Sequence, residues 1–264
     1  MARVLLIATL DTKGEEADFV RGRIRAAGHE VLVVDAGVMR DPPFEPDVGA
    51  DEIAGRGGST LNQLRSAGDR GHAVAVMLAG LESLVRELYQ AGRFDGVLGI
   101  GGGGGTALAT AAMRALPVGV PKLMVSTMAS GDTSPYVGIT DITMMYSVVD
   151  VAGLNAISRR VLANAAAAIV GMASAEAPTG DDRPMIAATM FGVTTPCVDA
   201  VRTRLEHAGY SVVVFHATGS GGRAMEALID EGWFTAVADV TITEWCEDRK
   251  STRLNSSHVR TSRM

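Results

Sequence analysis

The sequence predicts an α/β protein made of two Rossmann-like subdomains with largely parallel sheets, the second of them truncated. Three observations support this fold class. Strand-like apolar runs alternate with helix-like amphipathic runs, which is the pattern of βαβ units with parallel strands. The pattern restarts after a polar segment at residues 174–184, and the two parts resemble each other. The 264 residues are 47% hydrophobic, which is enough to bury the core of two such domains.

The first domain is predicted to span residues 1–173. Its strands are short apolar runs, and in its helices apolar residues recur at i, i+3, i+4 and i+7. One or two short helices are also expected between residues 51 and 68. The predicted strands are residues 4–9, 30–37, 95–100, 122–127 and 142–149, and the longer helices are residues 14–28, 74–88, 106–116 and 153–173.

The second domain is predicted over residues 185–246, after a polar linker at residues 174–184 that contains Pro and Gly. Both domains begin with a strand, a polar loop, a helix that ends in Ala-Gly and a Val-rich strand. Residues 247–264 lose the apolar periodicity and become basic and Ser-rich. We expect this segment to be a non-native tail, which leaves the second domain incomplete.

Composition narrows the classes of function. The net charge is −6 and no cluster of Lys and Arg with aromatic residues occurs, which disfavours nucleic acid as a ligand. Two cysteines, Cys197 and Cys246, do not make a disulfide framework, and the first residues lack a signal-peptide cleavage pattern. No apolar stretch is long enough to span a bilayer. We therefore expect a cytoplasmic protein that binds neither membrane nor nucleic acid.

Five consecutive glycines, Gly101 to Gly105, lie between a predicted buried strand and a predicted helix. A flexible linker would separate domains, whereas loops at this position in α/β proteins are short. Glycine lets a ligand approach the main chain and permits positive φ. The helix start adds unpaired amides and the positive end of a dipole. The run therefore predicts a phosphate-binding loop, with Thr106 as a helix cap or an anion ligand. A packing role is the alternative.

The type of phosphate compound follows from what the glycine motif lacks. No Lys follows the glycines, so the motif is not a P-loop. The spacing G-x-G-x-x-G is present, but the next predicted strand ends in Ser126 and Thr127 instead of the acidic residue of a dinucleotide site. A nucleotide held by main-chain amides fits better.

Two more loops are expected at the same edge of the sheet, because ligands bind at the carboxyl ends of parallel strands. Their candidate nucleotide-binding residues are Thr12, Lys13 and Gly14 in the first loop, and Thr127, Met128, Ala129, Ser130 and Gly131 in the second. A helix cap with a solvated Lys is the alternative for the first loop. If the protein is an enzyme that uses ATP, Asp11 or Asp132 would hold Mg²⁺. Asp35 is expected to bind a ribose, with helix capping or a surface role as the alternative.

The second domain repeats the arrangement of a strand, a Gly-rich loop and a helix start. A second ligand, facing the cleft between the domains, is expected there. Its candidate residues are Thr195, His216, Gly219, Gly221, Gly222 and Glu244. A lone His at a strand end is more often structural than catalytic.

Several segments resemble, in order, the ATP-binding family of the plant tobamovirus resistance protein: GIGGGGGTALAT, KLMVSTMASGDTSPYVG, FHATGSGGRAMEALI and DVTITE. The resemblance covers residues 1 to about 246. It implies two Rossmann-like subdomains, ATP bound in the first, and a tendency to form homodimers. It assigns the ATP phosphates to Gly101–Gly105 with Thr106, helped by Thr12–Gly14 and Thr127–Gly131. Family members continue beyond DVTITE, in agreement with an incomplete second domain.

We therefore expect an ATP-binding protein, with or without Mg²⁺, whose second partner is an unknown small molecule or a protein. One alternative is an ATP-dependent hydrolase or phosphotransferase that acts in the cleft. Another is a regulatory module in which ATP orders the domains for binding to another protein. No Ser-His-Asp order, H-E-x-x-H segment or Cys/His metal spacing is present, so no catalytic residue or metal ligand set is assigned.

Overall fold

The computed structural model of the chain describes residues 1–176, residue 180 and residues 183–241. The chain divides into two compact units, Met1–Glu176 and Ala177–Met264. The predicted tail, residues 247–264, lies outside the described residues.

The first unit is built on one parallel sheet of five strands in the order β2-β1-β3-β4-β5. The strands are β1 (Arg3–Ala8), β2 (Glu30–Asp35), β3 (Gly96–Gly101), β4 (Lys122–Ser126) and β5 (Thr143–Tyr146). The two central strands, β1 and β3, are buried almost throughout, which explains why they are continuous apolar runs in the sequence.

Seven helices connect and cover these strands. They are α1 (Leu10–Ala26), α2 (Ala50–Arg56), α3 (Leu61–Ala67), α4 (Arg70–Gln90), α5 (Gly103–Arg114), α6 (Ser134–Val137) and α7 (Ala156–Ser174). A 3₁₀ turn, Thr127–Ser130, follows β4.

Helices cover both faces of the sheet, so the unit is doubly wound. On one face, Leu5 and Ile7 of β1 belong to an apolar cluster with residues of α2, α3, α4 and α5. On the other face, Val4 and Leu6 of the same strand belong to a cluster with residues of α1 and α7. Alternate residues of β1 thus serve opposite layers, as the period of two in a strand requires.

Within the described residues, α7 is the one helix whose length and composition would allow it to cross a membrane. Its buried residues include Leu162, Ala165, Ala166 and Ile169, which pack in the cluster shared with α1. The core helix of an α/β layer meets the same criterion, and the packing of α7 matches that role.

The second unit contains a smaller parallel sheet in the order β7-β6-β8. Its elements are β6 (Met185–Met190), α8 (Thr195–His207), β7 (Ser211–His216), α9 (Ser220–Asp230) and β8 (Ala236–Ala238). In both units the first strand lies between the second and the third. The predicted α/β class, with two Rossmann-like subdomains and parallel sheets, is confirmed.

Three helices of the first unit begin earlier than the sequence predicts. The helix expected from residue 14 begins at Leu10, the one expected from residue 74 begins at Arg70, and the one expected from residue 106 begins at Gly103. The α4 start is explained by Asp69, whose side chain accepts a hydrogen bond from His72 N–H at 3.0 Å. Two of the three predicted nucleotide loops are therefore largely first turns of helices.

Candidate functional site

A cleft of about 620 Å³ opens at the carboxyl edge of the first sheet. It lies beside β1, where the strand order reverses between β2 on one side and β3 on the other. Open α/β sheets bind their ligands at this kind of switch point. The lining comes from the β1–α1 turn, the segment after β2, the α3–α4 junction and the start of α5.

The glycine run forms the start of α5. Gly101 ends β3, Gly102 is the N-cap residue, and α5 begins at Gly103. No side chain caps the helix, so its first amides have no acceptor there. Gly102 through Gly105 all line the cleft.

Packing explains some of these glycines and not others. A Cβ on Gly101 would lie 2.8 Å from the Cα of Gly105, so strand and helix need a glycine at that crossing. Around Gly102, Gly103 and Gly104 the nearest atoms to such a Cβ lie 3.7, 3.9 and 3.6 Å away. None of the five has positive φ. Backbone conformation therefore does not require glycine here, and at residues 102–104 the missing side chains leave the amides open to the cleft.

Thr106 has a different role from the predicted one. Its side chain is fully buried, and its Oγ1 lies 2.6 Å from Ser126 Oγ, which ties α5 to β4. Its N–H donates to Gly102 O at 2.8 Å. Thr106 therefore makes a packing contact between α5 and β4, and not the helix cap or phosphate contact that the sequence predicts.

The turn after β1 brings Thr12 and Lys13 into the cleft. Lys13 has φ −126° and ψ 21°, which interrupts α1 after its first turn. Its Nζ makes one weak hydrogen bond, to Thr12 O at 3.5 Å, and no ion pair with another described residue. Gly14 does not line this cleft, and a Cβ there would collide with Pro43, so its role is packing against the Pro-rich loop.

Arg70, the first residue of α4, is a cleft residue that the sequence reasoning missed. Its Nη2 lies 3.6 Å from the position of a Cβ on Gly104, and the guanidinium makes no hydrogen bond or ion pair among the described residues. The signal that would have found it is Asp69, an N-cap residue directly before it.

Two acidic residues fix the walls at this edge. Asp35 Oδ1 accepts hydrogen bonds from Leu10 N–H at 2.9 Å and Gly37 N–H at 2.8 Å, and burial raises the pKa of its carboxyl group. Asp11, which lines the cleft, accepts from Met39 N–H at 2.9 Å. The bond to Leu10 N–H, the first amide of α1, agrees with the helix-capping alternative for Asp35, and the burial of its side chain excludes the surface role.

The predicted residues after β4 flank the glycine turn without lining the cleft. A Cβ added to Gly102 would lie 3.7 Å from Thr127 Oγ1, and one added to Gly103 would lie 3.9 Å from Met128 Sδ. The other predicted residues, Ala129, Ser130 and Gly131, complete the 3₁₀ turn and its end. Asp132 accepts hydrogen bonds from the Oγ and N–H of Ser134, which lower the pKa of its carboxyl group. No group of three metal-ligating side chains occurs in the part of the chain that the structure describes.

The predicted second site is explained largely by local structure. The rings of His216 and Phe191 lie 5.5 Å apart, and Thr195 Oγ1 donates to Gly192 O at 3.0 Å. Gly219 has φ +65°, which favours glycine. Gly221 packs against the His216 carbonyl and Gly222 is buried. Glu244 lies outside the described residues.

Comparison with known proteins identifies the family. Residues 2–178 match the N-terminal domain of an uncharacterised protein family, UPF0261, and residues 183–263 match its C-terminal domain. The chain belongs to the UPF0261 family. The first match ends at residue 178 and the second begins at residue 183, so the two matches meet close to the division between the compact units after Glu176.

Relatives in this family include bacterial and plant proteins. A UPF0261 protein of Clostridium tetani is 49% identical over 93% of this chain, and the chain spans 61% of that relative's length. The ToMV susceptible protein tm-1(GCR26) of Solanum lycopersicum is 40% identical over 92% of this chain, which spans 35% of the tomato protein. The tomato ToMV resistance protein Tm-1(GCR237) is 39% identical. The predicted resemblance is thus confirmed.

Solved structures resemble the chain only loosely. The alignment with the S. aureus MnaA–UDP co-structure covers 95% of this chain and 72% of the MnaA chain, with a TM-score of 0.35 and 12% sequence identity. A UDP-N-acetylglucosamine 2-epimerase from Rickettsia bellii covers 91% and 69%, with a TM-score of 0.35 and 11% identity. At these values the likeness says nothing about function.

Proposed function

We propose that the first unit binds a nucleotide, ATP, in this cleft, with its phosphates at the start of α5. The observation that carries the proposal is electrostatic. An uncapped helix start lies beside Lys13 and Arg70, neither of which is paired with a carboxylate among the described residues. A helix dipole and two cations favour a bound anion here, because the two carboxylates of the same lining, Asp11 and Asp69, accept hydrogen bonds from main-chain N–H groups instead.

The rest of the cleft suits the nucleoside part of such a ligand. Its volume of about 620 Å³ lies in the range of small-molecule sites, which combine apolar walls with a few polar groups. Apolar residues line the cleft beyond the glycines: Val38, Leu64, Ala73, Val74, Met77 and Leu108. The resemblance to an ATP-binding family supports ATP among the nucleotides.

A single methyl group tests the assignment. Gly104→Ala places it beside Arg70 in open space, so the fold should tolerate the change. Alanine is also the better helix former, by about 0.5–1 kcal/mol. We expect ATP affinity, measured by calorimetric titration of the whole chain, to fall about tenfold to a hundredfold because the methyl displaces a phosphate.

Gly22→Ala is the matched control, since Gly22 also lies in a helix with open space around it, in α1 and away from the cleft lining. It should leave ATP affinity unchanged. Equal ATP affinity of the Gly104→Ala variant and the wild type would refute the site.

One observation favours a second candidate, an ATP-dependent hydrolase or phosphotransferase. The carboxyl group of Asp11 lies in the lining of the same cleft as Lys13, where it could hold Mg²⁺ bound to the phosphates. Phosphate release from ATP with Mg²⁺, lost in Asp11→Asn, would support this candidate. Tight ATP binding without ATP hydrolysis would support only the binding function.

A further inference from the structure

We infer that the cleft does not distinguish adenine nucleotides from guanine nucleotides. This inference rests on the proposed nucleotide site and adds its base specificity. It follows from how the apolar part of the cleft is positioned relative to the phosphate end, and from four groups beside it that are already hydrogen-bonded within the protein: the side chains of Arg65 and Asp69 and the N–H groups of Gly37 and Met39.

Two helices fix the direction in which a bound nucleotide extends. On α5, Leu108 lies one turn beyond Gly104, or about 6 Å along the axis. On α4, Ala73 and Met77 lie about one and two turns beyond Arg70. All five residues line the cleft. Phosphates at the helix starts therefore direct the base toward the apolar side chains of the following turns.

The polar side chains near that wall are occupied. Arg65 donates from Nε to Val38 O at 2.6 Å and from Nη2 to Asp41 at 3.0 Å. Asp69 caps α4 through its hydrogen bond from His72 N–H. Neither side chain has to leave its partner for an apolar ring to enter.

Two main-chain donors in the opposite wall are occupied as well. Gly37 N–H donates to Asp35 at 2.8 Å, and Met39 N–H donates to Asp11 at 2.9 Å. Adenine and guanine differ in the donors and acceptors on their edges, while their flat faces offer similar contact area. A pocket that contacts only the faces of the two bases binds them with similar affinity. A pocket that hydrogen-bonds the edge of one base binds that base much more tightly than the other.

The experiment is a calorimetric titration of the whole chain with ATP, GTP and inorganic tripolyphosphate. We expect the ATP and GTP dissociation constants to agree within about tenfold, and tripolyphosphate to bind at least about tenfold more weakly than either. A preference above about a hundredfold between ATP and GTP would overturn the inference, and so would tripolyphosphate binding as tightly as ATP.

Two variants sharpen the result. Val74→Ala trims the apolar wall at a half-buried position, and should weaken ATP and GTP together on the order of fivefold with tripolyphosphate unaffected. Val161→Ala, a half-buried Val of α7 on the other face of the sheet, is its control. Loss of ATP binding alone in Val74→Ala would contradict the inference.

Asp69→Ser removes a carboxylate from this wall while keeping an oxygen that can cap α4. It should change ATP and GTP affinity by the same factor, because the carboxylate does not read the base. A tenfold change in their ratio would show that it does. Failure of the whole proposed site looks different: no nucleotide would bind at all.

Discussion

Asp35 is a buried carboxyl group whose hydrogen bonds hold two loops together beside the candidate site. It holds the first amide of α1 and the amide of Gly37, so it joins the turns that follow β1 and β2. Its side chain is almost fully buried, and burial raises its pKa above the ordinary value. Because burial disfavours the charged carboxylate, the free energy of unfolding should depend on pH where Asp35 titrates.

We predict that Asp35→Asn makes the protein relatively more stable as pH rises. A raised folded-state pKa means that the folded state holds its proton longer than the unfolded one, so wild-type stability falls between the unfolded value, about 3.9, and the folded value. The amide keeps an acceptor for both N–H groups and has no charge to bury. Urea unfolding over a pH series measures the difference.

Asp132→Asn is the control of opposite sign. Hydrogen bonds from Ser134 lower the pKa of Asp132, so its contribution to stability is present above the unfolded pKa and is lost as pH falls toward the folded one. The prediction would be contradicted if the free energy of unfolding of Asp35→Asn minus that of the wild type fell as pH rises.

The buried position of Lys122 is a feature that the sequence did not predict. A Lys that opens a strand would ordinarily be placed in solvent, yet this side chain is fully buried. Its Nζ donates to Pro117 O at 2.7 Å and Val120 O at 3.0 Å, and pairs with Asp141 at 2.7 Å. These partners come together only when the loops before β4 and β5 fold, so no local sequence pattern predicts them.

At the scale of elements, the sequence predicted every strand of the first sheet and most helices. It misjudged where α1, α4 and α5 begin. Glycine is a poor helix former, which made residues 101–105 look like a loop. In the structure the close crossing of β3 and α5 requires glycine, and the helix continues through three of them. Tertiary packing thus overrides the local preference, and the candidate site becomes a helix start instead of a long loop.

Helix starts also make a testable contribution to stability. Asn155 caps α7 by accepting hydrogen bonds from Ile157 N–H at 2.9 Å and Ser158 N–H at 3.0 Å. We predict that Asn155→Ala lowers the free energy of unfolding by about 1 kcal/mol, since two amides lose their acceptor. Chemical denaturation measures the change.

Asn164→Ala supplies the comparison on the same helix. Asn164 is exposed in the middle of α7, where alanine is the better helix former, so stability should stay equal or rise slightly. Equal losses in the two variants would show that the cap of α7 is not responsible.

On the scale of the whole molecule, the two units share one strand order, and the cleft proposed to bind the nucleotide lies in the first unit. Homodimer formation, a second ligand and a cytoplasmic location stay predictions. The chain spans 61% of the Clostridium tetani relative, so the activity of longer family members is not argued from it.

We predict that a polypeptide of residues 1–176 folds alone and binds ATP as tightly as the whole chain. All residues of the cleft and both apolar clusters belong to this unit. Circular dichroism melting and calorimetric titration check the two parts of the prediction. A cooperative melt without ATP binding would contradict the second part, while an unfolded chain would contradict the first.

The strand order has a further consequence for how the chain leaves the ribosome. β1 and β2 emerge together and can pair at once, but the other side of β1 has no neighbour until β3 arrives some sixty residues later, beyond three helices. In the meantime the nascent polypeptide carries a bare, strongly apolar strand edge, of the kind that invites misassembly. Cotranslational protection of that edge should therefore matter most before the glycines have been synthesised.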